Sequence, residues 1–131
     1  MKNLQLSLKT KWFEMTKALI KDEDYRLITH YWCNRLLLFD GKSISKSEWA
    51  KIIGDTELSK EFIIKKYIDM GFITFKPFTK NTMALGYPKT GDTERTLILE
   101  HKGIEIRTGN PEWGAEPGKM YFVIKHGNKL N

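Results

Sequence analysis

The sequence predicts an α+β fold, a curved and mostly antiparallel sheet with its helices grouped in the first half of the chain. Three observations carry this expectation. Helical periodicity ends near Asp69. The long strand signal Thr96–Arg107 changes phase: Leu97 and Leu99 share one parity, Ile104 and Ile106 the other. One register cannot bury both pairs on one face, so Lys102-Gly103 marks a bulge or sharp bend, as barrels and strongly coiled sheets use. Last, Met120–Ile124 is apolar at every position, which calls for cover on both sides.

The elements follow in order. Leu4, Leu6 and Leu8 alternate with polar residues and read as a half-buried first strand. Thr10 is placed to cap a helix from Lys11, with Trp12, Met15, Leu19 and Ile20 near one face. Asp24–Ile28 reads as a short strand and Tyr31–Leu38 as a second helix. Ser45-Lys-Ser-Glu48 has the spacing of a capping box and starts a helix to about Ile53. Gly54-Asp55 breaks it, and Thr56 starts another that Gly71 ends near Asp69. Phe72–Phe75 and Met83–Tyr87 are further strands, with a loop at Pro88–Asp92. Between the last two strands lies Gly109-Asn-Pro-Glu-Trp-Gly-Ala-Glu-Pro-Gly118, a turn-rich stretch around one Trp.

A chain of 131 residues is expected to form one domain, 1–131. The hydrophobic share of 40% and charged share of 29% are ordinary for a globular protein. The N-terminus alternates instead of forming an apolar block, and the apolar runs are too short to span a bilayer, so neither a signal peptide nor a membrane partner is expected. The single Cys33 excludes an internal disulfide and a Cys-based metal site, which suits a cytoplasmic protein. A net charge of +6 favours an anionic partner, nucleic acid first. Its one local concentration is the tail with Lys119, Lys125 and Lys129.

Several side chains are candidates for chemistry. Asp24 and Arg26 alternate on one strand and point to one face, with Lys21 just before them. A carboxylate beside a guanidinium can hold an anion or a base edge, and the bland alternative is a surface ion pair. Glu100 has the parity opposite to Leu97 and Leu99, so it is expected to face away from the core, as a general base, a nucleobase contact or a solvated residue. Tyr25, Tyr31, Trp32, Tyr87 and Trp113 are candidates for base stacking, and each has a core role as its alternative. Trp113 leads them because it sits in a loop. His30, His101 and His126 are scattered, so no metal site is expected, nor any cofactor. No catalytic set is defined; Lys21, Asp24 and Glu100 are the candidates.

Three stretches together resemble the ASCH domain family, a relative of the PUA fold, in its phage and bacterial branch. They are Lys11-Trp-Phe-Glu-Met on to Lys21-Asp-Glu-Asp-Tyr-Arg26, then Tyr31-Trp-Cys-Asn-Arg-Leu36, then Leu97–Ile106 with Gly109-Asn-Pro-Glu-Trp-Gly114 and Tyr121-Phe-Val-Ile124. Gly86-Tyr87 fits a further element of that branch. The resemblance implies a PUA-like barrel with flanking helices and a cleft for RNA or a modified nucleoside. Lys21 and Arg26 match the family's Lys and Arg. It leaves a helical insertion at about 40–71 without counterpart. The chain departs from the family at Ala18-Leu-Ile-Lys21, where many members have a Gly, and at Asp24. The branch that hydrolyses acetylated cytidine has a nucleophilic Thr where Asp24 stands, and a carboxylate cannot replace a hydroxyl nucleophile without a change of mechanism.

The first functional expectation is therefore an RNA- or nucleotide-binding domain using Lys21, Tyr25, Arg26, Glu100 and Trp113. The alternatives are a hydrolase acting on a modified nucleoside or RNA in the same cleft, and a winged-helix binder of duplex DNA through residues 45–76, with Lys60, Lys65 and Lys66 on its second helix. An amphipathic helical pair packed beside the barrel is the plainer reading of that segment. The sequence is silent on oligomeric state.

Overall fold

A computed structural model describes residues 3–54, 60–86 and 94–131. Strand β1 (Asn3–Leu8) leads into helix α1 (Thr10–Lys17), β2 (Glu23–Arg26), α2 (His30–Leu36) and β3 (Leu37–Phe39). Helices α3 (Lys46–Ile53) and α4 (Lys60–Asp69) follow, then β4 (Ile73–Phe75), β5 (Lys80–Leu85), β6 (Thr96–Thr108) and β7 (Met120–Lys129). Five strands form one sheet in the order β1-β5-β6-β7-β2, curled into a half-barrel. The β1–β5 pair is parallel and the other three pairs are antiparallel. A separate two-stranded sheet pairs β3 with β4. The fold is thus α+β with a curved, mostly antiparallel sheet and its helices in the first half. No helix among the described residues is long and apolar enough to cross a membrane.

The phase change in β6 is real and lies where the chain bends. Leu97, Leu99, Ile104 and Ile106 are all buried, and the register against β7 shifts between Leu99 and Gly103. Gly103 has φ +112° with open space where a Cβ would stand, so the backbone conformation alone requires glycine there. Strand β7 is covered on both sides, as its apolar run demands. Phe122 and Ile124 face the main core, while Tyr121 and Val123 pack with Ala115 and Tyr25 on the opposite face. It runs on to Lys129, past the expected end at Ile124, because β6 pairs with it out to Leu99–Lys129.

Several boundaries differ from the expectation. Helix α1 is capped by the backbone of Lys9, whose carbonyl accepts from Phe13 N–H, and Thr10 is already its first residue. Its buried side chains are Phe13 and Thr16, while Leu19 and Ile20 lie beyond the helix and are exposed. Strand β2 stops at Arg26, where its register against Phe122 ends. Thr29 then caps α2 by accepting from Trp32 N–H. Helix α2 ends at Leu36 and not Leu38, since Leu37–Phe39 is drawn into pairing with Ile73–Phe75. Strand β5 begins three residues before Met83, at Lys80, and the expected start of α4 at Thr56 and the Pro88–Asp92 loop lie outside the described residues.

The capping box forms as written: the Ser45 side chain accepts from Glu48 N–H and the Glu48 side chain from Ser45 N–H. Helix α4 ends in a Schellman motif, with Gly71 at φ +86°, Gly71 N–H bonded to Ile68 O and Phe72 N–H to Tyr67 O. The helical segment shares the sheet's core. Trp49, Ile53, Ile64 and Ile73 belong to one apolar cluster with Leu4, Leu6, Leu97, Leu99 and Phe122.

Candidate functional site

The site begins at the C-terminus of α1. Leu19 N–H bonds to Thr16 O and Ile20 N–H to Met15 O, a Schellman pattern with Leu19 at φ +62° in the place that glycine usually takes. This tight exit sends Lys21 back into the protein, where its side chain is 1% exposed. Its ammonium donates to Asp24 Oδ1 at 3.0 Å. Arg26 Nε donates to Asp24 Oδ2 at 2.9 Å, and Arg26 Nη2 donates to Ser7 O at 3.0 Å. Burial raises the Asp24 carboxyl, but Arg26 and Lys21 outweigh it and hold it below its ordinary range. Asp24 is therefore a buried anion between two cations. The Arg26 guanidinium also lies over the Trp32 ring, 5.0 Å from its centroid, and so does that of Arg35.

Beside this triad opens a cleft of about 230 Å³. Asp24 and Arg26 lie at its foot, and Trp12, Tyr25, Trp113 and Tyr121 wall it. The turn between β6 and β7 supplies the outer wall, and two tyrosines hold it. Tyr25 Oη accepts from Asn110 N–H at 2.8 Å and donates to Glu23 Oε2 at 2.6 Å. Tyr121 Oη accepts from Glu116 N–H at 2.9 Å. The turn can lie this close only because it lacks side chains at two points. A Cβ on Gly109 would stand 2.7 Å from the Tyr25 ring, and one on Gly114, at φ +99°, 2.8 Å from Trp12. Trp113 closes a 3-10 turn, Pro111–Trp113, and is half-buried outside both core clusters. It is a wall of the cleft and not a core residue.

Of the residues singled out in the sequence, Asp24, Tyr25, Arg26 and Trp113 line the cleft. Lys21 stands behind them, consumed by Asp24. Glu100 does not join them. It pairs in register with Lys80, and its carboxylate accepts from Asn128 N–H at 2.8 Å. Tyr31 is exposed and packs edge-on against Trp32. Tyr87 lies outside the described residues. Cys33 is fully buried, and burial pushes its thiol up to about 12, so it is no nucleophile.

Trp12 and Tyr121 went unnoticed as site residues, since both sit in apolar patterns that read as core. A buried polar network on the sheet also went unnoticed. Asn81 is fully buried; its amide nitrogen lies 2.7 Å from His126 Nδ1 and its oxygen 2.7 Å from His101 Nδ1. The signal for it was a polar residue two positions before buried Met83 on the same strand. Burial pushes the His126 imidazole down to about 4, which matches a neutral ring accepting from Asn81. Among the described residues no cluster of three or more His, Cys, Asp or Glu is arranged to hold a metal ion.

Comparison of the chain with protein families, curated proteins and solved structures finds no match.

Proposed function

We propose that the protein binds RNA or a nucleotide, with a base held in the Trp12–Tyr25–Trp113–Tyr121 cleft. The observation that carries this reading is four aromatic rings around one oriented guanidinium. Stacking suits any base, at about 1–3 kcal/mol per stacked base. Asp24 and Ser7 fix Nε and Nη2 of Arg26, and among the described residues Nη1 has no partner. It is thereby left to meet a base edge or a phosphate. Lys9 at the cleft and Lys11 over Trp12 add positive charge at the mouth. The resemblance to the ASCH family, which implies a PUA-like barrel with a cleft for RNA or a modified nucleoside, accords with this reading.

Binding is favoured over hydrolysis because Asp24 is the one carboxylate among the described residues that line the cleft, and both its oxygens are engaged by cations. Incubation with acetylated cytidine and with RNA, followed by mass spectrometry, is expected to give no product. The decisive experiment is titration with single-stranded RNA, tRNA and mononucleotides at several salt concentrations. Trp113→Ala is expected to weaken binding about 5- to 150-fold without unfolding the protein. If the wild type shows no salt-sensitive binding to any of these, the reading fails.

One observation favours a second reading, duplex-DNA binding. Helices α3 and α4 are followed at once by β4, the order of a winged helix, and Lys65 and Lys66 are exposed on α4. Charge reversal at both lysines would abolish duplex binding and leave single-strand binding intact. Phe62, 69% exposed on that same helix, speaks against a groove-reading surface.

A further inference from the structure

The polar side chains that line the aromatic cleft are engaged unequally. Its one carboxylate among the described residues, Asp24, meets Lys21 through Oδ1 and Arg26 through Oδ2. The Tyr25 hydroxyl donates to Glu23 and accepts from Asn110 N–H. The groups left over are donors. Arg26 Nη1 carries two N–H groups with no partner among the described residues. Tyr121 Oη accepts from Glu116 N–H, and its own proton has no acceptor among the described residues. Lys9 also lines the cleft, and its ammonium has no partner among them either. A ligand that satisfies this site brings acceptors to it.

Charge narrows the ligand further. Four aromatic walls could instead form a cage for a methylated ammonium, since the face of a ring attracts cations. Three of these rings already have one. Lys11 Nζ lies 4.9 Å from the Trp12 centroid, Lys119 Nζ 5.9 Å from that of Tyr121 and Lys21 Nζ 6.0 Å from that of Tyr25. The Arg26 guanidinium adds its charge at the foot. A cationic ligand would meet like charge there, so the ring that enters is neutral. At about 230 Å³ the cleft is smaller than the roughly 300–1,000 Å³ of sites for drug-sized ligands, and it suits one ring system.

Guanine meets these conditions best among the bases. Its major-groove edge presents N7 and O6, two acceptors and no donor. Adenine sets an N6 donor beside N7, and cytosine has its N4 donor on that edge. An adenine seated in the same way would turn its donor toward Arg26 and leave both groups unpaired, which costs more than a missing bond. A purine also gives the walls more ring to stack on than a pyrimidine does. We infer that the cleft selects guanine, with Arg26 reading the N7–O6 edge, and excludes cationic bases. This rests on the nucleotide-binding reading above. The guanine belongs either to a free nucleotide or to single-stranded RNA, and the chemistry that recognises it is the same.

The test is calorimetric titration of the wild type with the 5′-monophosphates of guanosine, inosine, adenosine, uridine, cytidine, 7-deazaguanosine and N7-methylguanosine. All carry the same phosphate, so differences among them report the base. The guanosine and inosine forms share the N7–O6 edge and are expected to bind alike, at least about tenfold more tightly than the adenosine, uridine and cytidine forms. The 7-deaza form lacks the N7 acceptor and should fall toward adenosine, and the cationic N7-methyl form should fall at least as far. Arg26→Lys keeps a cation for Asp24 and should bring guanosine and adenosine within about threefold of each other. A tetraribonucleotide of three adenines and one guanine, set against tetra-adenylate, identifies the source. Selectivity there places the guanine in a strand, and selectivity confined to mononucleotides places it in a free nucleotide. Equal binding of all the monophosphates, a preference for adenosine, or N7-methylguanosine bound as tightly as guanosine overturns the inference while the cleft reading stands. Absence of binding by every probe overturns both.

Discussion

Asp24 has both carboxylate oxygens engaged, by Lys21 at 3.0 Å and by Arg26 at 2.7 Å, and Lys21 has a side chain only 1% exposed. Asp24→Ala would leave a buried ammonium unpaired, and a loss of about 3–5 kcal/mol in chemical unfolding is expected. A variant in which both residues become apolar should lose much less, since the unpaired charge goes with its partner. His126 gives the protein a dependence on acid. Its imidazole falls from the ordinary 6.5 to about 4 through burial, against the pull of Asp24, with Lys21, His101 and Glu23 also acting on it. The unfolded chain binds this proton more tightly than the folded one. The stability it contributes is therefore present above pH 6.5 and is lost as the pH falls toward 4, by roughly 3 kcal/mol in all. Unfolding measured from pH 7 to pH 4 should show this slope, and His126→Gln should flatten it. At this scale the sequence was partly legible. Two residues apart on a strand, Asp24 and Arg26 had to share a face, and Trp113, in a loop among Gly and Pro, was the aromatic least expected to be fully buried. Glu100 misled because parity tells which face a residue takes but not which end of the strand meets the site. Trp12 and Tyr121 were hidden because an aromatic in an apolar pattern looks the same whether it fills a core or walls a cleft.

Elements were legible where one physical demand dominated. The phase change of β6 required a bulge, and the unbroken apolar run of β7 required cover on two faces. Strand β3 was lost in Leu36–Phe39, an apolar run that fits a helix end and a strand equally well until β4 is present to pair with it. The far half of β7 was lost for the opposite reason. Lys125–Lys129 has little intrinsic strand preference and is held by its partners in β6. The exit from α1 yields a prediction of its own. Leu19 takes a left-handed conformation at φ +62° and is 74% exposed, so it bears the conformational cost and recovers little by burial. Relief of that backbone conformation is worth about 1–2 kcal/mol. Against it stands the greater freedom of glycine in the unfolded chain, about 0.4–1 kcal/mol. Leu19→Gly should therefore raise stability by up to about 1 kcal/mol, read as a higher denaturation midpoint with an unchanged slope.

For the molecule as a whole, helices in the first half and a curved sheet could be read from periodicity and from the two phase signals. That helices α3 and α4 share the sheet's core could not, because an amphipathic helix shows that it has an apolar side without showing what covers it. Trp49 is fully buried in the cluster that also holds Leu4 and Leu97, so sheet and helices should unfold together. Fluorescence and far-ultraviolet circular dichroism are expected to give coincident transitions, and Trp49→Ala to shift both by about 3–5 kcal/mol. Separate transitions would show that the helices form an independent unit. The half-open sheet brings one more consequence. Strand β1 is an edge, and its carbonyls at Gln5 and Ser7 already accept from Arg35 at 2.8 Å and Arg26 at 3.0 Å. A foreign strand that tried to extend the sheet there would find two of its acceptors occupied and two guanidiniums in its path. The arginine proposed to meet the ligand is thus also a guard against self-templated growth, and losing it would endanger solubility as well as binding.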